Sequence, residues 1–201
     1  EDGNAVDTIF AENENLSSRM NYYHKPQISL NHLWAANEKL VISNVLYVSL
    51  GNGGGTSPSQ APAMGSDNQI DFQSIYDINS GNTRNTNFGP SIDPSIDPSY
   101  SETEHKTTEF IRSSINNHRW FGLLSTYNHE TSEEITLSGG IDLRHYTGEH
   151  YREVYDLLGG DYYVANDNVA ASDSSAVIRK GDKYSYHNDG LVKWAGVFQQ
   201  M

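Results

Sequence analysis

Titratable side chains concentrate at residues 145–156, HYTGEHYREVYD, where His145, Glu149, His150, Arg152, Glu153 and Asp156 sit among Tyr146, Tyr151 and Tyr155. Histidine and carboxylate side chains together can ligate a divalent metal or form an acid–base pair. The spacing argues against the nearest such pair. Neighbouring residues on an extended strand point to opposite faces, so Glu149 and His150 diverge, while His145 with Glu149, and His150 with Arg152, share a face. The segment is therefore expected to hold neither a catalytic residue nor a metal ligand. A structural role suits it better, as the aromatic and charged far end of a long strand, and a middle reading adds a share in ligand contact. Aromatic rings and forked guanidinium groups match sugars, peptides or anionic complexes, and Arg144, Tyr146, Tyr151, Arg152 and Tyr155 are the expected ligand-contacting residues.

Other chemistries fit less well. SIDPSIDPS, with Asp93, Asp97 and Glu102, offers oxygen atoms for calcium, but its spacing is not that of an EF-hand and Pro-punctuated acidic stretches are usually solvated turns. GNGGG at 51–55 leads into Thr-Ser-Pro-Ser with no helical pattern, so a phosphate cradle is not expected; the glycines are read as releasing a strand into a loop. A glycosidase needs two converging carboxylates, and no spacing among the acidic residues identifies a pair. The expectation is no enzyme and no cofactor. With no cysteine there is no disulfide, Cys–zinc site or thiol nucleophile. A formal charge of −13, from 26 acidic and 13 basic residues, argues against a nucleic-acid partner.

The elements that would carry these groups are strands. In KPQISLNHLW, Ile28, Leu30, His32 and Trp34 share one face; the turn AANEK at 35–39 follows; then KLVISNVLYVSL places Leu40, Ile42, Leu46, Val48 and Leu50 on one face, broken by Asn44. These two strands and their turn predict a hairpin. A second hairpin is predicted from His118–Glu130, with Phe121, Leu123 and Tyr127 on its apolar face, the turn TSEE at 131–134, and a long strand from Ile135 to about Tyr155. That last strand far exceeds the ~5–6 residues of an ordinary one. Residues 190–201, GLVKWAGVFQQM, predict one more strand with Trp194 and Phe198 opposing Ala195 and Val197. Residues 1–22 read as a polar loop, and 51–115 and 158–189 as long loops rich in Gly, Asn, Ser and Asp.

Connection lengths alternate short, long, short, long. In an up-and-down meander this gathers the short turns at one end of the sheet and the long loops at the other, the arrangement of an outer-membrane barrel. No run reaches the ~20 apolar residues of a transmembrane helix, which leaves a barrel open because its strands expose only alternate residues to lipid. The expected lipid-facing set is Ile28, Leu30, Leu40, Ile42, Leu46, Val48, Phe121, Leu123, Ile135, Leu137, Ile141 and Leu143. Asp142 and Arg144 then face away from lipid, against a plug or a passing ligand. Tyr146, Tyr151 and Tyr155 stand at or above the outer interface, where the strand leaves the membrane.

The segments KPQISLNHLW, GNGGGT, DFQSIYDINSGN, HRWFGLLSTYN, SGGIDLRHYTGEHYREVYDLLGGDYYV and GDKYSYHNDGLVKWAGVF resemble TonB-dependent receptors of Bacteroidota-type bacteria. The resemblance covers nearly the whole chain, and GIDLRHYTGEHYREVYDLLGGDYY is its most specific part. It implies an outer-membrane transporter of a Gram-negative bacterium, with a plugged barrel of roughly 22 strands. Such a transporter imports a nutrient (glycan, peptide, metal complex or vitamin) with energy relayed by TonB through the plug, in some relatives beneath a surface lipoprotein lid. About five strands are legible here, with no plug and no TonB box. The expectation for residues 1–201 is thus one all-β piece of an antiparallel transmembrane barrel, whose partners are lipid and the rest of its own barrel and plug. The competing reading is a soluble β-rich extracellular carbohydrate-binding module, which would be soluble without detergent.

Overall fold

A computed structural model describes residues 17–82, 95–165 and 177–201. Eight strands and one helix follow in chain order: β1 Asn21–His24, β2 Gln27–Asn37, β3 Leu40–Pro58, α1 Phe72–Asn79, β4 Ile111–Glu130, β5 Thr136–Asp156, β6 Tyr163–Val164, β7 Val177–Ile178 and β8 Lys183–Gln200. The fold is all-β. Its main sheet is antiparallel, in the order β1-β3-β4-β5-β8, with β2 also on β3 and β6 pairing β7 apart from it. β1 and β2 pair with successive parts of β3 on either side of Lys25-Pro26, so they act as one edge strand interrupted where proline removes a donor.

Each long strand pairs with its neighbour in sequence. The turns after β2 and β4 meet at one end, where the Glu130 amide donates to the Lys39 carbonyl at 2.9 Å. The connections after β3 and β5 meet at the other end, where the Thr107 amide donates to the Tyr162 carbonyl at 2.7 Å. Both hairpins and the long strand β5 therefore lie as the alternation predicts.

Three expectations need correction. The 51–115 segment is not a loop throughout: β3 continues through GNGGG to Pro58, β4 starts at Ile111, and α1 lies between them. The glycines stay in the ladder because β4 and β1 pair with them, and aromatic rings from neighbouring strands cover the bare backbone. The 158–189 loop ends at Lys183, because β5 pairs with the polar run KYSYHND. Residues 21 and 22, read as loop, belong to β1. Residues 1–16 and Asp93 lie outside the described residues.

The long-loop end is a small folded cap. Phe110, Val154, Leu157, Ala165, Ile178 and Tyr184 form a buried cluster, with Tyr163 packed against it. Asn79, at the end of α1, is fully buried. Its Nδ2 donates to the carbonyls of Glu109, Leu157 and Leu158, and its Oδ1 accepts from the amide and hydroxyl of Thr108. One side chain thus ties the helix to both long connections. Asp71 caps the helix start, accepting from the Ser74 amide at 3.0 Å, which lowers its carboxyl pKa.

Candidate functional site

The register decides which side chains meet. Across β2, β3, β4 and β5 the rows Leu30–Leu46–Leu123–Leu143 and Ile28–Val48–Phe121–His145 lie on one face of the sheet, here the first face. The strand-borne members of the expected lipid-facing set all fall there; Ile135 sits just before β5, its carbonyl accepting from Thr131. Several are bare: Ile28 is 67% exposed, Leu30 66%, Leu46 54% and Phe121 46%. Trp34 and Tyr127 flank Ile42 on this face near the short turns.

The second face is different. Gly51, Gly53, Gly55, Gly122, Gly140, Gly148, Gly190 and Gly196 all lie on it by register. Aromatic rings lie against some of these glycines. A Cβ at Gly122 would collide with the Tyr47 ring, one at Gly53 with Tyr23, and one at Gly51 with His118. Glycine on one face lets a sheet curl toward that side.

Above this layer, His118 stacks on Tyr146 with centroids 6.0 Å apart, Trp120 meets Tyr146 edge-on at 5.8 Å, and Tyr23 OH lies 3.3 Å from His118 Nδ1. Burial, then the nearby Lys25 and His150, lowers the pKa of His118 and favours a neutral ring. Further along, Arg152 lies over the Tyr186 ring, 5.2 Å from its centroid. Burial lowers the pKa of Arg112, and the adjacent Arg152 lowers it further. His118 Nε2, Trp120 Nε1 and Arg152 Nε are buried here with no hydrogen-bond partner among the described residues.

The five expected ligand-contacting residues do not form one group. Arg144, Tyr146 and Arg152 share the second face. Tyr151 is on the first face, with Lys183 Nζ 4.0 Å from its ring centroid and His187 edge-on at 5.7 Å. Tyr155 is the unpaired residue of a bulge, because Arg112 pairs with Val154 and Ile111 with Asp156. The period of two already separates residues 146 and 151. Arg144 is held to Asp142 by paired contacts of 3.0 and 2.6 Å, which fix its guanidinium along the strand.

A charged cluster was not legible in the sequence. On the first face, Glu149 of β5 is joined by Lys183, His187 and Asp189 of β8. Lys183 Nζ lies 2.7 Å from Glu149 Oε1, and His187 Nε2 lies 3.3 Å from that oxygen and 3.4 Å from Asp189 Oδ1. Lys183 holds the Glu149 carboxyl below its ordinary pKa, and Glu149 raises that of Lys183. Only Glu149 stood out beforehand, because its partners lie in a stretch that reads as loop. His150, its neighbour, points the other way and bonds Asn116 at 2.7 Å, as alternation requires. In the acidic loop, Asp97 pairs with Lys106 at 2.8 Å, so a lysine neutralises one of the three carboxylates weighed for calcium.

No protein-family model matches this chain, and comparisons with curated proteins and with solved structures give no match.

Proposed function

We propose that this chain is a wall segment of an outer-membrane TonB-dependent transporter, with its first face against lipid and its second face toward the barrel interior. The observation that carries the reading is the band of bare Leu, Ile and Phe side chains aligned across four strands of the first face. A continuous exposed apolar patch of this kind suits a membrane or a partner better than water. The strands, 18 to 21 residues in β3, β4, β5 and β8, greatly exceed the ~9–11 needed to span, so their far halves would stand outside the bilayer. Trp34 and Tyr127 would mark the interface on the short-turn side. The two sheet edges, at β1/β2 and β8, would continue into further strands of the same barrel.

The second face supports the same reading. Its glycines favour curvature toward that side, and its buried polar atoms without a partner among the described residues (Ser49 Oγ, His118 Nε2, Trp120 Nε1 and Arg152 Nε) suit a face covered by a plug or a ligand. Arg144, Tyr146 and Arg152 would serve an imported nutrient there, through ring stacking and forked donors.

The absence of cysteine makes the test direct. Single cysteines at Leu30, Leu123 and Leu143, and at Tyr47, Thr126 and Arg144, would carry nitroxide labels in bilayers. Labels at the first three should be accessible to oxygen and shielded from a water-soluble nickel reagent; those at the second three should show the reverse or be shielded from both. Equal nickel accessibility at Leu123 and Arg144, or a chain that stays soluble without lipid or detergent, would instead favour the carbohydrate-binding module.

A further inference from the structure

We infer that Glu149, His187 and Asp189 form a binding site for a borderline divalent cation of the zinc class, clasping β5 to β8 near the long-loop end of the first face. The inference is independent of the membrane reading.

Two observations carry it. Glu149 and Asp189 are direct cross-strand partners in the β5–β8 ladder. Like charges directly opposite one another destabilise a sheet, so this pair favours a cation beside it, a need that Lys183 meets in part through its ion pair with Glu149. Then there is the geometry of His187 Nε2, nearly equidistant from Glu149 Oε1 at 3.3 Å and Asp189 Oδ1 at 3.4 Å. Zinc bonds nitrogen and carboxylate oxygen at about 2.0–2.2 Å, which sets neighbouring donors in a tetrahedral shell about 3.3–3.5 Å apart. All three donor atoms lie within 4.8 Å of one another, so only the Glu149–Asp189 edge need tighten. One imidazole with two carboxylates is a donor set that zinc accepts, leaving a fourth position for water.

Lys183 is the competitor. Its ammonium is 2.7 Å from Glu149 Oε1 and 3.4 Å from His187 Nε2, on the same side of the donors. The β8 bulge brings it there, because Tyr184 pairs with Arg152 and His187 with Tyr151, leaving Ser185 and Tyr186 unpaired, Ser185 at φ 65°. A bound cation would displace the ammonium, which can remain over the Tyr151 ring.

Zinc titration of the full chain against a fluorescent chelator tests this. The parent should bind one zinc ion per chain. His187→Ala and Asp189→Asn should each weaken binding at least tenfold. Lys183→Met should tighten it, because the competing ammonium is gone, while His118→Ala should leave it unchanged. Asp189 is exposed, so its substitution keeps the test usable if the His187 variant does not fold. Equal zinc affinity in the parent and the Asp189→Asn chain, or weaker binding in Lys183→Met, would overturn the assignment and leave a salt-bridge network.

Discussion

At the scale of single residues, the two most exacting positions are Asn79 and Glu153. Every polar atom of the Asn79 amide group finds a partner in a site with no solvent exposure. Asn79→Leu fills similar volume but strands the carbonyls of Leu157, Leu158 and Glu109 and the Thr108 amide. The expected loss is about 3 kcal/mol, read from denaturant unfolding. Loss below about 1 kcal/mol would mean that the two connections hold together without it. Glu153 works in the opposite sense. Burial raises its carboxyl pKa above the ordinary 4.5, with Lys183 opposing. The folded state therefore holds that proton more tightly than the unfolded chain does. The resulting penalty is present above the raised pKa, fades as the pH falls through it, and is gone below 4.5. Glu153→Gln should be more stable than the parent at neutral pH and equal to it in acid; a pH-independent difference would exclude a titrating cause.

The strands were legible wherever a single period of two ran unbroken. Alternation in Gln27–Trp34, Leu40–Leu50 and Ile135–Leu143 located most of β2 and β3 and the start of β5 and separated the two faces correctly, but β2 runs on to Asn37 through a bulge, into the stretch 35–39 expected to be the turn. Legibility ended where pairing overrode local composition. Gly51–Gly55 and Lys183–Asp189 are poor strand formers alone, and they enter the ladder because β4 and β5 already present unpaired backbone groups to them. Helix α1 carries a start signal in Asp71 with Ser74 and a stop in Gly81 at φ 70°, but its eight residues are too few for periodicity to rise above the loop around it. The expected ligand-contacting residues divide by face: the period of two puts Arg144, Tyr146 and Arg152 together, whereas the bulge at Tyr155 and the partners of Glu149 depend on distant strands. Tyr47 and Gly122 show how closely facing strands are fitted. Gly122→Val should destabilise by about 1–3 kcal/mol through overlap with the Tyr47 ring. In the double variant with Tyr47→Ala the combined loss should fall below the sum of the single losses, and strict additivity would mean the ring is not the obstacle.

At the scale of the whole molecule, the unequal connections have a kinetic consequence. The hairpins β2–β3 and β4–β5 close over tight turns, but joining β3 to β4 means closing the connection 59–110. That loop is about ten times longer than the turn at 131–135, which adds roughly 2 kcal/mol of closure entropy. The two hairpins should thus zip first as separate nuclei, and their docking along β3 and β4 should be the slow step. The Asn79 knot lies at the mouth of that large loop, where the Asn79 amide reaches Glu109 and Leu157. A chain whose cap forms early would enter docking with the stretch from Asn79 to Glu109 already closed, which shortens the loop left to close. The cap would then act as an internal template for its own sheet, setting how fast the sheet assembles as well as how stable it finally is.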